Sequence, residues 1–88
     1  MPDFLIESPH TKEQCLKALD DTLALGEDVL GKFEYGCMTG DHTAYGIVQA
    51  ADVDTAKRMV PENLRSEATI SEVTPISADQ IRQFHQAA

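Results

Sequence analysis

The residues of this chain with the widest chemical use are two cysteines, two histidines and one aspartate: His10, Cys15, Cys37, Asp41 and His42. A thiolate, two imidazoles and a carboxylate near one point are the ligands that Zn, Cu or Ni prefers. A cysteine near a helix start, with a histidine as base, is alternatively a candidate nucleophile. Because the spacing of these residues matches no local metal motif, either chemistry depends on a fold that brings them together.

The apolar pattern predicts four strands that alternate with helices. Thr11 and Gln14 fit a capping box that starts the first helix, and Gly26 is a natural residue to end it. The strands are predicted over residues 3–7, 29–37, 42–50 and 68–74. The helices are predicted between Thr11 and Gly26, between Asp52 and Pro61, and from Ser77 through His85.

This order of elements predicts an α+β fold with a single domain over residues 1–88. Right-handed crossovers give a ferredoxin-like βαββαβ arrangement, with a four-stranded antiparallel sheet of order 4-1-3-2, helices on one face and an extra C-terminal helix. Ile70 and Val73 of the fourth strand differ in parity, which predicts a bulge or a shifted register. Ile81 and Phe84 of the last helix are expected to face inward.

The topology places three chain segments at the same end of the sheet: the end of strand 1, the start of helix 1 and the turn between strands 2 and 3. A four-residue turn over 38–41 places Cys37 opposite His42, with Cβ atoms ~5 Å apart. We therefore predict a transition-metal site formed by His10, Cys37 and His42. Asp41 is predicted to be a fourth ligand, or an acceptor that fixes the orientation of one imidazole.

The same register puts Tyr35 opposite Ala44 and Phe33 opposite Gly46, so that large side chains lie over small ones. Phe33 and Tyr35 are therefore candidate walls of a small-molecule site between the sheet and the helices. The alternative is that both are ordinary core residues.

Each site residue also has a purely structural interpretation. A cysteine on an inward strand face is usually a small hydrophobe, a histidine beside a turn is usually solvated, and Asp41 is typical of an Asx turn. Cys15 shares the apolar stripe of its helix with Leu19, which favours core packing. A Cys15–Cys37 disulfide is conceivable but is not expected in a reducing compartment.

Composition limits the classes of function. Eighty-eight residues form one domain, and a net charge of −8 would repel nucleic-acid phosphates and anionic membranes. Two cysteines are too few for a secreted disulfide scaffold. Neither a signal-like start nor a run of ~18 apolar residues is present, so we predict a cytoplasmic protein without nucleic-acid or membrane partners.

Three segments resemble a known superfamily: Ser8-Pro9-His10-Thr11, Gly40-Asp41-His42-Thr43 and Ser77-Ala78-Asp79-Gln80-Ile81. With them, the chain resembles the small ferredoxin-like proteins grouped with the dimeric α+β barrel superfamily, many of which have unknown function. Relatives in that superfamily include small isomerases, cofactor-independent monooxygenases and nickel-binding proteins. The resemblance implies a homodimer whose sheets meet face to face, and it carries over no catalytic residues.

The predicted open face of the sheet carries Leu5, Tyr45 and Ile47. This face is too apolar to remain in water, so it is the predicted dimer surface. The leading hypothesis is a non-enzymatic homodimer that binds a small ligand or a transition metal. One alternative is a small cofactor-independent enzyme, isomerase-like or monooxygenase-like, with His10 or His42 as general base. Another is a purely structural interaction module.

Overall fold

The computed structural model describes residues 1–87, among which no helix is both long and apolar enough to cross a lipid bilayer. Within these residues the strands are β1, Asp3–Pro9; β2, Phe33–Tyr35; β3, Thr43–Gln49; and β4, Thr69–Val73. The α-helices are α1, Cys15–Ala24; α2, Glu27–Leu30; α3, Val53–Lys57; and α4, Ala78–Ala87. Short 3₁₀ turns cover Lys12–Gln14, Cys37–Thr39 and Glu62–Leu64.

The strands of the described chain form one antiparallel sheet, so the fold class is α+β. From one edge the order is β2-β3-β1-β4, which from the opposite edge is 4-1-3-2. Ala18 of α1 and Ala56 of α3 belong to the same buried cluster as Phe4 of β1 and Val48 of β3. These two helices therefore cover one face of the sheet, and the core lies between them and the two central strands.

The register between β2 and β3 agrees with the prediction. Phe33 lies opposite Gly46, and Tyr35 lies opposite Ala44. A Cβ atom at position 46 would lie 2.7 Å from the Lys32 carbonyl oxygen and 2.9 Å from the Phe33 ring. The buried Phe33 side chain therefore occupies space that only a glycine on β3 leaves free.

The predicted strand over 29–37 is wrong at both ends, because β2 covers only Phe33–Tyr35. Val29 belongs to α2, whose first turn carries the acidic residues Glu27 and Asp28, and the helix dipole favours acidic side chains there. Cys37 lies beyond the strand in a 3₁₀ turn. Val29 still packs against the core. Val29 points inward from α2, and its apolar side chain therefore makes the strand pattern in the sequence longer than the observed strand.

β4 is an edge strand, and its five residues pair with β1 in one regular register, so the predicted bulge is wrong. Ile70 lies opposite the fully buried Ile6 and packs against the core. Val73, three positions further on, lies on the other face opposite Asp3. The difference in parity therefore reflects the two faces of an edge strand rather than an inserted residue.

α4 begins as predicted, with a capping box at Ser77. The backbone N–H of Gln80 donates to Ser77 Oγ at 3.1 Å, and that of Ser77 donates to Gln80 Oε1 at 2.8 Å. The predicted inward orientation of Ile81 and Phe84 is wrong, since these side chains are 47% and 58% exposed. Because α1 and α3 already cover the inner face of the sheet, α4 extends away from the core, and the longest axis measures 51 Å.

Candidate metal centre

Four side chains with metal-binding chemistry meet at one end of the sheet: His10, Cys15, Cys37 and His42, called here the histidine–cysteine cluster. Each offers one ligand atom, a ring nitrogen or a sulfur, and these four atoms all lie within 4.8 Å of one another. The Sγ atoms of Cys15 and Cys37 are 3.2 Å apart. Cys37 Sγ lies 3.4 Å from His10 Nε2. The fold thus converges four residues from three separate parts of the chain on one point.

The end of the β1–β3 pairing holds the two histidines side by side. One position beyond the last strand pair, Pro9 with Thr43, the backbone N–H of His10 donates to the His42 carbonyl oxygen at 2.9 Å. The two ring centroids are 5.7 Å apart, with the ring planes at 67°. The topology alone predicts that the two histidines meet, because His10 directly follows and His42 directly precedes a residue of the last pair between β1 and β3.

Cys15 is the first residue of α1 and belongs to the cluster, although the helical spacing predicts a core position beside Leu19. The predicted capping box forms: Gln14 N–H donates to Thr11 Oγ1 at 3.2 Å, and Thr11 N–H donates to Gln14 Oε1 at 2.9 Å. The residues after Thr11 make a 3₁₀ turn, so α1 begins only at Cys15. Its half-buried thiol therefore lies outside the core cluster, beside the β2–β3 connection.

A tight turn brings Cys37 to the cluster. Asp41 N–H and Thr39 Oγ1 both donate to the Gly36 carbonyl oxygen, each at 3.0 Å. A Cβ atom at position 36 would lie 2.6 Å from the Asp41 carbonyl oxygen, and Gly40 has a φ of +91°. The two glycines allow the chain to close this turn. Cys37 therefore approaches His42 through the turn and not, as predicted, through a strand pair.

Asp41, predicted as a ligand or an imidazole partner, lies outside the cluster. Its exposed carboxylate accepts a hydrogen bond from the Tyr45 hydroxyl at 2.6 Å. This bond holds the pKa of Asp41 below its usual range and raises the pKa of Tyr45. The carboxylate thus fastens the end of the turn to the open face of β3 and contributes no ligand atom to the cluster.

Phe33 and Tyr35, predicted to line a small-molecule site, border only a narrow cavity between the sheet and the helices. The cavity also touches His10 and Thr22, and its volume of about 10 Å³ is close to the space of one water molecule. Tyr35 Oη is buried without a hydrogen-bond partner among residues 1–87, and burial raises its pKa. This geometry suits a water molecule that bonds to Tyr35 rather than a small-molecule ligand.

Burial controls protonation within the cluster. It lowers the pKa of His10, and the neighbouring imidazole of His42 lowers it further. His10 therefore stays neutral near pH 7, which is the form that binds metal ions. Burial raises the pKa of the Cys37 thiol, as does its hydrogen bond with Cys15. The Cys37 thiol is therefore mostly protonated near pH 7 in the metal-free protein, and metal binding displaces its proton.

His42 has a buried ring nitrogen with nothing to bind. Its Nδ1 atom has no hydrogen-bond partner among residues 1–87. A buried polar atom left without a partner costs about 1–3 kcal/mol, so such atoms point to a missing ion, water or ligand. Two sulfur atoms and two imidazoles beside this unpartnered nitrogen fit a transition-metal ion.

We expect Zn²⁺ affinity to rise with pH between about 6.5 and 8. The raised pKa of Cys37 keeps its thiol protonated in this range, so binding must release that proton, and each proton that binding releases increases affinity about tenfold per pH unit. Because the pKa of His10 is lowered, protons compete with the metal ion for this imidazole only at pH values below about 6.5. Competition with a chelator at several pH values measures the slope, and a flat profile would contradict this account.

The structure thus brings together three of the residues predicted for the metal site, His10, Cys37 and His42, adds Cys15 and leaves out Asp41. The signal for Cys15 is its position directly after the capping box, at the same end of the sheet as the hairpin turn. Phe33 and Tyr35 remain near His10 but enclose no ligand-sized space. Comparison of the chain with protein-family models, curated proteins and solved structures finds no match.

Proposed function

We propose that this protein binds a transition-metal ion through the histidine–cysteine cluster, with Zn²⁺ as the preferred ion. The observation that carries the proposal is the convergence of two thiols and two imidazoles, whose ligand atoms all lie within 4.8 Å of one another. Two sulfur and two nitrogen ligands are a common donor set for tetrahedral zinc. Copper and nickel accept the same ligand types, so the experiment must compare the three metals.

The distances within the cluster support this ion geometry. Bonds of ~2.3 Å to sulfur and ~2.0 Å to nitrogen place the ligand atoms of a tetrahedral ion ~3.3–3.8 Å apart. The contacts between Cys15 and Cys37, at 3.2 Å, and between Cys37 and His10, at 3.4 Å, lie within about half an ångström of that range. Small side-chain rotations are therefore enough to complete this part of the coordination sphere.

The number of protein ligands favours a binding or structural role over catalysis. Catalytic zinc sites keep one coordination position open for water or substrate, whereas four protein ligands fill a tetrahedral sphere. When His10 and His42 hold the metal, neither imidazole is free to act as a general base. We therefore infer a non-enzymatic metal-binding protein.

We further propose that the chain is a ferredoxin-like member of the dimeric α+β barrel superfamily and forms a homodimer through its open sheet face. The βαββαβ order of the major elements supports the fold assignment. Leu5 and Ile47 lie opposite one another on that face, and Ile47 is 62% exposed in a central strand. The two free thiols suit a reducing compartment such as the cytoplasm.

The experiment is a metal inventory of the protein purified without an affinity tag under reducing conditions. The metal-free protein is then titrated with Co²⁺, whose absorption spectrum reports tetrahedral thiolate coordination, and Zn²⁺ is used to displace it. We expect one ion per chain and loss of the signal in His10→Ala. The control is His85→Ala, because this exposed histidine lies on α4, away from the cluster.

Absence of a bound ion together with a titration that never saturates would overturn the proposal. Unchanged binding in His10→Ala would also overturn it, because the ion would then lie elsewhere. Tight binding of nickel or copper with weak binding of zinc would support the site and correct the identity of the ion.

A further inference from the structure

The two thiols of the cluster already touch each other. Cys15 begins α1 and Cys37 lies in the 3₁₀ turn after β2, yet their sulfur atoms are only 3.2 Å apart. Both side chains are half-buried, so small oxidants can reach them from solvent. A thiol with a second thiol in contact is the arrangement found in reversible redox sites, where the second cysteine traps the oxidised first one.

We propose that oxidation by a hydroperoxide joins Cys15 and Cys37 in a reversible disulfide that expels the metal ion. The release step rests on the proposed metal binding, whereas formation of the disulfide does not. The disulfide is therefore a second chemical state of the same site. In that state the ion is absent, and the start of α1 is covalently linked to the turn after β2.

The reaction balances with hydrogen peroxide as the oxidant. One thiolate attacks a peroxide oxygen, the O–O bond breaks, and a sulfenic acid forms on that sulfur while the other oxygen leaves as water. The second thiolate then attacks the sulfenic sulfur, the S–S bond forms, and a second water leaves. Two thiolates, one H₂O₂ and two protons thus give one disulfide and two H₂O, and the sulfur atoms supply both electrons. Two equivalents of a small thiol such as glutathione reverse the reaction by thiol–disulfide exchange.

The geometry requires little movement. A disulfide bond is ~2.0 Å long, so the sulfur atoms must approach by about 1.2 Å from their present 3.2 Å. Cys37 lies outside the paired part of β2, and its neighbours Met38 and Thr39 are exposed. The turn that carries Cys37 can therefore shift without breaking the ladder between β2 and β3.

Metal binding and disulfide formation exclude each other. An ion in the cluster needs both sulfurs as thiolates, and the disulfide removes both negative charges and both soft ligands at once. Only the imidazoles of His10 and His42 then remain to bind the ion. Two neutral nitrogen ligands without thiolates form an incomplete zinc site, so the oxidised protein should release its zinc.

The first arm of the test oxidises the reduced, metal-free full chain with an equimolar amount of H₂O₂. We expect its mass to fall by two hydrogen atoms, and a non-reducing tryptic digest to contain the peptide 13–17 linked to the peptide 33–57. Cys15→Ser and Cys37→Ser are matched controls, neither of which can form the intramolecular link. Failure of the metal-free wild-type protein to form this link overturns the inference without affecting the proposed metal binding.

The second arm treats the zinc-loaded protein with H₂O₂ in the presence of a zinc-sensitive dye. We expect zinc release to follow disulfide formation with the same time course, and zinc to rebind after reduction by glutathione and removal of the oxidant. Release without the disulfide, or a disulfide that retains the zinc, overturns the switch. A chain that forms the disulfide but never binds zinc overturns the proposed function and the release step, and supports only the disulfide.

Discussion

Replacing Cys15 with serine will weaken Zn²⁺ binding as strongly as replacing Cys37 with serine. The two sulfur atoms lie in contact at one point of the cluster, and each supplies one thiolate. Changes in residues that merely support metal ligands already reduce affinity ~10–100-fold, so loss of a ligand should cost about 100-fold or more. Chelator competition on the reduced proteins measures both constants.

Thermal unfolding gives a second measurement of the same effect. An ion present at 100 times its dissociation constant stabilises the folded state by about 2.7 kcal/mol, so zinc should raise the melting temperature of the wild type by roughly 10–20 °C. In either serine variant the same zinc concentration should give little or no rise. If Cys15→Ser binds zinc like the wild type and Cys37→Ser does not, Cys15 is a packing residue, as the apolar stripe of its helix indicates.

The sequence allows much of the fold to be predicted, because the strongest local signals agree with the tertiary structure. The register of Phe33 and Tyr35 follows from pairing large side chains with small ones across the hairpin, and the lack of room for a side chain at Gly46 is the physical basis of that pairing. The error at Val29 has the opposite origin. An inward apolar residue satisfies a strand pattern and a short helix equally well, and only the packing decides between them.

The position of a site residue can be predicted from the sequence when the strand order determines it. It cannot be predicted when the conformation of a single turn determines it. His10 and His42 lie at the ends of two neighbouring strands, so the strand order is enough to predict that they meet. Cys15 is absent from the predicted metal ligands because its helical spacing indicates core packing, whereas α1 begins only after the 3₁₀ turn and places this thiol at the helix end. The sequence prediction places Asp41 at the cluster, whereas its carboxylate accepts a hydrogen bond from the Tyr45 hydroxyl on the open face of β3.

α4 shows the limit of amphipathic patterns. The spacing of Ile81 and Phe84 indicates an apolar stripe, and the structure leaves that stripe exposed. A periodic pattern indicates that one side of a helix prefers to pack against an apolar surface, but it does not indicate which surface that is. In this chain α1 and α3 cover the inner face of the sheet, and the apolar residues of α4 remain uncovered within the single chain.

Ile47→Asp will convert the proposed homodimer to monomers at micromolar concentration. Ile47 lies in central strand β3, opposite Leu5 of β1, and Tyr45 lies two positions away on the same face. Pairing two such faces buries about 1,200–2,000 Å² in a typical specific interface, and the two-fold symmetry of a dimer brings both copies of each substitution into it. A buried, unpaired carboxylate costs several kcal/mol, so two of them should abolish association.

The monomer itself should tolerate this substitution, because Ile47 is 62% exposed in the single chain. Analytical ultracentrifugation of wild type and variant measures the mass, and melting temperatures at several protein concentrations test the linkage: the wild type should melt higher as concentration rises, and Ile47→Asp should not. Ile81→Asp is the matched control, with the same change at a 47%-exposed isoleucine of α4. A dimer that survives Ile47→Asp but dissociates in Ile81→Asp would place the interface on α4 instead of the sheet, and a monomeric wild type would remove the proposed dimer altogether.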